Sequence, residues 1–197
     1  MTVRTLPLFP LGSVLFPEGP LSLRIFEPRY VDMVSRCLRD NTGFVVLLLV
    51  QGREAGAGAT QAAAIGTEAR IVDFDRLDDG LLGLTCVGVE RVHVLKSWRQ
   101  EDGLHVGEVE DIAPDLTCPV ALECSHLPPL LRQVFGEVGE PYASMRPRYD
   151  DAGWVANRLA EIAPLEPNVR QRLLEMRDPA ERLAVLGPMI RPGRTDA

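Results

Sequence analysis

One lysine, Lys96, stands against 20 arginines in the 197-residue chain. That scarcity excludes whole classes of chemistry. A nucleotide-binding phosphate loop needs Gly-Lys followed by Ser or Thr, so that backbone amides and an ammonium meet the phosphates together. Lys96 follows Leu95, so ATP hydrolysis by that route is excluded. A Ser–Lys peptidase dyad would have to use the same lysine, which lies in a strand pattern rather than at a catalytic turn. Cysteine is sparse as well. Cys37, Cys86, Cys118 and Cys124 show no repeated spacing, which argues against a disulfide framework and for reduced thiols in a cytoplasmic protein. Cys118, Cys124 and His126 cluster, but five residues separate the cysteines, where a zinc knuckle uses two to four and a second pair. No metal or cofactor is expected. The longest apolar run, Phe44 to Val50, is too short to cross a membrane. Pro7, Pro10 and Pro17 break the only stretch resembling a secretion signal. A dense basic surface is also missing. The net charge is -7, and no basic stretch interleaves with aromatics, so nucleic acid is disfavoured as a partner.

What is present divides near residue 117. Hydrophobic residues make up 46% and charged residues 25%, an ordinary globular composition with room for one domain or two small ones. Before the division, short strand patterns follow one another. Arg4 to Phe9 is extended but rich in proline, which predicts an edge or an irregular start. Leu21, Leu23 and Ile25 alternate as a half-buried strand. A helix begins at Glu27 or Pro28, carries Tyr30, Val31, Val34, Cys37 and Leu38 on one stripe, and ends over Asp40 to Gly43 with Gly43 as its left-handed cap. Phe44 to Val50 reads as a strand covered on both faces. Gln51 to Ala64, rich in Gly and Ala, reads as a mobile loop. Asp78-Asp79-Gly80 and Glu101-Asp102-Gly103 mark hairpin turns, and Val87-Gly88-Val89 interrupts an alternating strand with a bend or bulge. A closed or nearly closed antiparallel barrel removes the exposed edges of such hairpins. After the division, helices open at Pro129, at Asp150 or Asp151, at Glu166-Pro167 and at Asp178-Pro179. They are expected to pack as a small bundle.

The residues Leu6-Pro7-Leu8-Phe9-Pro10, the corner Ile25-Phe26-Glu27-Pro28-Arg29-Tyr30 and the Phe44–Val50 strand together resemble the N-terminal domain of the Lon protease family. Ile65-Gly66-Thr67-Glu68-Ala69, Gly88-Val89-Glu90-Arg91, Gln171-Arg172-Leu173-Leu174-Glu175 and Glu181-Arg182-Leu183 continue the resemblance to the end of the chain. It implies an α+β fold: a PUA-like antiparallel β-barrel with one inserted helix (1–117), then a C-terminal α-helical bundle (118–197), together forming one such domain. It also implies recognition of polypeptides, without the ATPase and Ser–Lys peptidase that Lon attaches to this domain.

The expected function is therefore a non-catalytic module that binds unfolded or extended polypeptide segments, or one specific protein partner. Candidate contacts are Phe16, Arg24, Phe26, Glu27, Arg29 and Tyr30. Phe16 and Phe26 would form an apolar patch if both reach the surface. Glu27, Pro28, Arg29 and Tyr30 have a structural reading too, as helix start, ion pair and packing. Two other classes of function compete with polypeptide binding. RNA binding rests on fold analogy and on Arg24, Arg29, Arg36 and Arg39. A small hydrolase would need a nucleophile–base pair, and His93 and His105 sit in strands without one. The acidic run Asp73, Asp75, Asp78 and Asp79 lacks the register of a calcium loop and reads as a solvated hairpin.

Overall fold

The structure, a computed structural model, describes residues 3–52, 61–142 and 145–190. It divides into two compact units between Pro114 and Asp115. The first holds strands β1 (Val3–Leu11), β2 (Pro20–Ile25), β3 (Phe44–Gln51), β4 (Gln61–Ala62), β5 (Ile65–Arg76), β6 (Leu82–Arg99) and β7 (His105–Asp111). Helix α1 (Pro28–Asp40) joins β2 to β3. The second unit holds α2 (Leu127–Val138), α3 (Ala152–Ile162), α4 (Pro167–Glu175) and α5 (Pro179–Leu186). The fold is thus mixed α/β, a mainly antiparallel sheet with five α-helices among the described residues.

The sheet neighbours run β1–β7–β6–β5–β3–β4, β2 lies on β6, and β1 also pairs with β3. That last pairing is parallel, which corrects the expectation of a purely antiparallel arrangement. Parallel neighbours need a crossover, and the β2–α1 segment supplies one. It also explains how β1 tolerates two prolines between partners. Val3 to Leu8 pair with β7, and Leu8 to Leu11 pair with β3. Pro7 and Pro10 each have a strand on one side only, so the missing N–H can face away from it.

Alternation along β1 and β3 sorts their side chains into two cores. Phe9, Leu11, Phe44 and Val46 pack with Tyr30, Met33, Val34 and Cys37 of α1. Leu6, Leu8, Val45 and Leu47 pack with Val92 of β6 and Val109 of β7. Phe44 to Leu48 are buried without a break because β3 is covered on both faces. α1 ends on Asn41, which adopts the left-handed conformation (φ 51°) and donates its N–H to Cys37. The cap is therefore Asn41, not Gly43 as the sequence suggested. Asn tolerates this conformation because its short polar side chain costs little there.

β6 changes neighbours along its length. Leu82 to Val87 lie between β5 and β2, whereas Val92 to Arg99 pair with β7. The switch is at Gly88. A Cβ there would overlap the carbonyl oxygen of Phe16, and the close approach lets Gly88 donate to Gly19 O (2.9 Å) and accept from Glu18 N (2.8 Å). The β5–β6 register shifts between Thr67 and Ala69, so the expected irregularity is present. The segment read from sequence as a loop contains β4, paired with β3 at Leu49. Residues 53–60 of it lie outside the described residues.

In the second unit, α3 packs on α2, α4 and α5. Asp151 caps it by accepting from Gly153 N (3.1 Å), and Asp178 caps α5 by accepting from Ala180 N and Glu181 N. The sequence suggested one apolar side for α3. Instead every residue from Ala152 to Ala160 is buried, polar Asn157 and Arg158 included. Arg158 donates to Glu161 at 2.6 Å, one turn on. Small residues at 152, 153, 156 and 160 let the neighbouring elements come close on several sides.

Candidate binding site

The six side chains expected to contact a ligand are not equally available. Phe16 is fully buried (0% exposed), so the apolar surface pair with Phe26 does not form. Its backbone carbonyl lies close against Gly88. Tyr30 is buried against Phe9, with ring centroids 4.2 Å apart. The Arg29 side chain is only 9% exposed, lies over the Tyr30 ring at 4.7 Å, and donates to Gly103 O at 2.9 Å. Glu27 ion-pairs with Arg29 at 3.0 Å and provides no side-chain cap to α1. These three residues tie the start of α1 to the β6–β7 turn. Arg24 is exposed and ion-pairs with Asp79 of the β5–β6 turn. Phe26, 60% exposed, is the one apolar side chain of the six that faces water.

A second feature lies at the end of the inner core of the first unit. Leu8, Pro10, Leu47, Ala62–Ala64, Val94–Ser97 and His105 surround a recess of about 240 Å³. β5 begins at Ile65, where it meets His93, so β6 beyond Val94 has no β5 partner. Ala64 O accepts from Val94 N (2.8 Å) at the point where the two segments separate. The β6–β7 register shifts between Val94 and Lys96, leaving Leu95 as an extra, exposed residue. Lys96 extends toward the ring of Trp98, its Nζ 5.9 Å from the centroid. His105 stays neutral to lower pH than usual, through burial first and then the positive charges of Arg99 and Arg29.

Other reactive groups are muted by their surroundings. Burial raises the Cys37 thiol, offset partly by Thr42, and pushes Cys86 up to about 12, so neither is a thiolate at neutral pH. Burial also raises Cys118, with Asp151, Asp178 and Asp115 adding to the effect. Among the described residues, no three His, Cys, Asp or Glu side chains converge to hold a metal ion. The acidic run is engaged locally: Asp73, Asp75 and Asp79 accept from the backbone amides of Phe74, Arg76 and Leu81. No described helix is long and apolar enough to cross a membrane.

Reading along the chain missed the recess. Ala62 to Ala64 looked like linker, and the extra residue Leu95 is visible only once β7 fixes the register. The one available signal was the exposed Leu95-Lys96-Ser97-Trp98 run, where apolar residues stand three apart in a strand rather than two.

Strand ends bordering a side-chain-sized recess belong to a mixed α/β fold. The comparison with known proteins gives its family. Residues 5–191 match the model of the ATP-dependent protease La (LON) substrate-binding domain, and the chain belongs to that family. A crystal structure of a Lon N-terminal domain protein from Xanthomonas campestris is 38% identical, with a TM-score of 0.80 over 95% of this chain and 99% of that one. The N-terminal domain of a Mycobacterium avium complex Lon protease shares the fold at 16% identity, with a TM-score of 0.64 over 93% of this chain and 96% of that one. The Lon protease of Heliobacterium modesticaldum is 24% identical across 96% of this chain. The chain spans about a quarter of that relative's length (24%).

Proposed function

We propose that this chain is a non-catalytic polypeptide-binding module of the cytoplasm, which recognises unfolded or extended segments. The family match over residues 5–191 carries the reading, since that family is described by substrate binding. The physical features support it. The recess has mixed walls, with Leu8, Leu47 and Val94 beside Lys96, Ser97 and His105, and at about 240 Å³ it falls below the roughly 300–1,000 Å³ of small-molecule sites, which suits a single side chain better than a cofactor. The Cys37 and Cys86 thiols are held as neutral core groups. We read the circuit β1–β7–β6–β5–β3 and back to β1 as the PUA-like barrel (1–117), and the later helices as a bundle (118–197) completing one domain. Phe26 and Arg24 are outer contacts in this reading, while Glu27, Arg29 and Tyr30 hold the corner in place.

An array of overlapping peptides from several unrelated proteins, probed with the purified chain, tests the function. Binding concentrated on apolar segments that are buried in their parent proteins is expected. Uniform signal, or none above scrambled controls, would contradict it.

A further inference from the structure

Among the described residues several stretches of sheet edge in the first unit pair on one side only, β2 and β4 included, and two longer ones, on β5 and β6, differ in chemistry. Beyond Ala69, β5 pairs with β6 alone. Along it, Asp73 accepts from Phe74 N (2.8 Å) and Asp75 from Arg76 N (2.7 Å), so those amides are taken and carboxylates line the edge. Such an edge resists addition of a further strand. Among the described residues, β6 beyond Val94 pairs with β7 alone. Gln100 N donates to Leu104 O (2.8 Å), which turns Gln100, Trp98 and Lys96 toward β7 by the two-residue alternation of an antiparallel pair. Ser97 then turns its backbone N–H and C=O the other way, toward the recess and the facing Ala62–Ala64 wall. That wall is held at both ends, Ala63 N donating to Leu48 O and Ala64 O accepting from Val94 N (both 2.8 Å).

A cation stands at this edge in a chain that is acidic overall. The net charge is -7, yet the only lysine stands here. Among the described residues no acid ion-pairs with Lys96, although Glu108 is opposite it in register. Arg99 adds positive charge near His105 on the recess wall, whereas the Arg29 charge is paired with Glu27.

We propose that the Leu95–Arg99 edge of β6 accepts an extended segment of an unfolded polypeptide as an added strand. One apolar side chain of that segment sits in the recess over Leu8 and Leu47, and an acidic side chain lies toward Lys96. Strand addition supplies backbone hydrogen bonds that any sequence offers, while the recess and Lys96 select side chains. The inference rests on the polypeptide-binding reading above and names where and what it binds.

The test uses the full chain and fluorescein-labelled short peptides of alternating Val and Glu, with Val and Lys counterparts, followed by anisotropy. Preference for the Val–Glu peptide is expected. Lys96→Glu should abolish that preference, and Ala63→Trp, which fills the recess, should weaken binding about tenfold or more. Hydrogen exchange on the wild-type chain gives a readout that does not depend on a variant folding: the peptide should protect the outward-facing amides of Ser97 and Arg99. If unfolded polypeptide binds but protects other segments, and both variants bind as the wild type does, this edge is not the site while the polypeptide-binding function stands. If no polypeptide binds at all, both readings fall.

Discussion

Replacing Asp115 by alanine takes the carboxylate out of the fork of Arg182. Arg182 is 1% exposed, and its guanidinium donates to Asp115 Oδ2 (2.5 Å) and Oδ1 (3.4 Å), Asn157 Oδ1 (3.0 Å), Leu173 O (2.9 Å) and Met176 O. Asp115 is its ion-pair partner, reached from 67 residues away. Breaking a buried pair from one side leaves an uncompensated charge, at about 3–5 kcal/mol. Arg182→Met removes the cation instead, takes the donor from the Leu173 carbonyl and leaves the Asp115 carboxylate without its ion-pair partner. At ~1–3 kcal/mol for each orphaned group, the loss is about 2–6 kcal/mol. In Asp115→Ala/Arg182→Met neither charge is left orphaned, so the double variant should lose no more than Arg182→Met alone loses, well short of the sum. Urea unfolding followed by Trp154 fluorescence, in a Trp98→Phe background, measures the second unit directly, because the chain has only these two tryptophans. If Asp115→Ala costs less than about 1 kcal/mol, or if the two losses simply add, the reasoning about this network is wrong.

Gly66→Ala should cost about 1–3 kcal/mol as an overpacked position, because its Cβ would overlap Val46 O and crowd Leu47 Cδ2; a thermal midpoint equal to wild type would contradict that. Phe16→Ala should destabilise by about 3–5 kcal/mol, whereas Phe26→Ala should stay within about 0.5 kcal/mol and, as an outer contact, weaken polypeptide binding. Equal denaturation midpoints for the two variants would refute the burial contrast. His105 has a folded-state pKa below its unfolded one, so the unfolded chain binds more protons as pH falls through the ordinary histidine value of about 6.5. Stability should therefore fall on acidification below that value, and His105→Gln should flatten the slope; a slope unchanged in that variant assigns the effect elsewhere.

Local rules carried much of the fold. Pro28 after Glu27, Asp151 before Ala152 and Asp178 before Pro179 announce helix starts because the signals lie within one turn of what they specify. Phe44 to Leu48 reads as a doubly covered strand because its composition alone records that both faces are dry. What distance decides was less legible. Arg158 and Arg182 look like surface residues until Glu161 and Asp115 are placed beside them. Phe16 and Phe26 look alike in sequence, but one is fully buried and the other faces water. The parallel β1–β3 pair follows from where the crossover returns, which no short window contains.

Calorimetric titration of the purified chain, without nucleotide, against one small protein in its native form and again after reduction and alkylation tests the central claim most directly. Saturable binding to the unfolded form, with little or none to the native one, is the predicted result. Equal binding to both forms, or heat changes no larger than dilution for either, would contradict it.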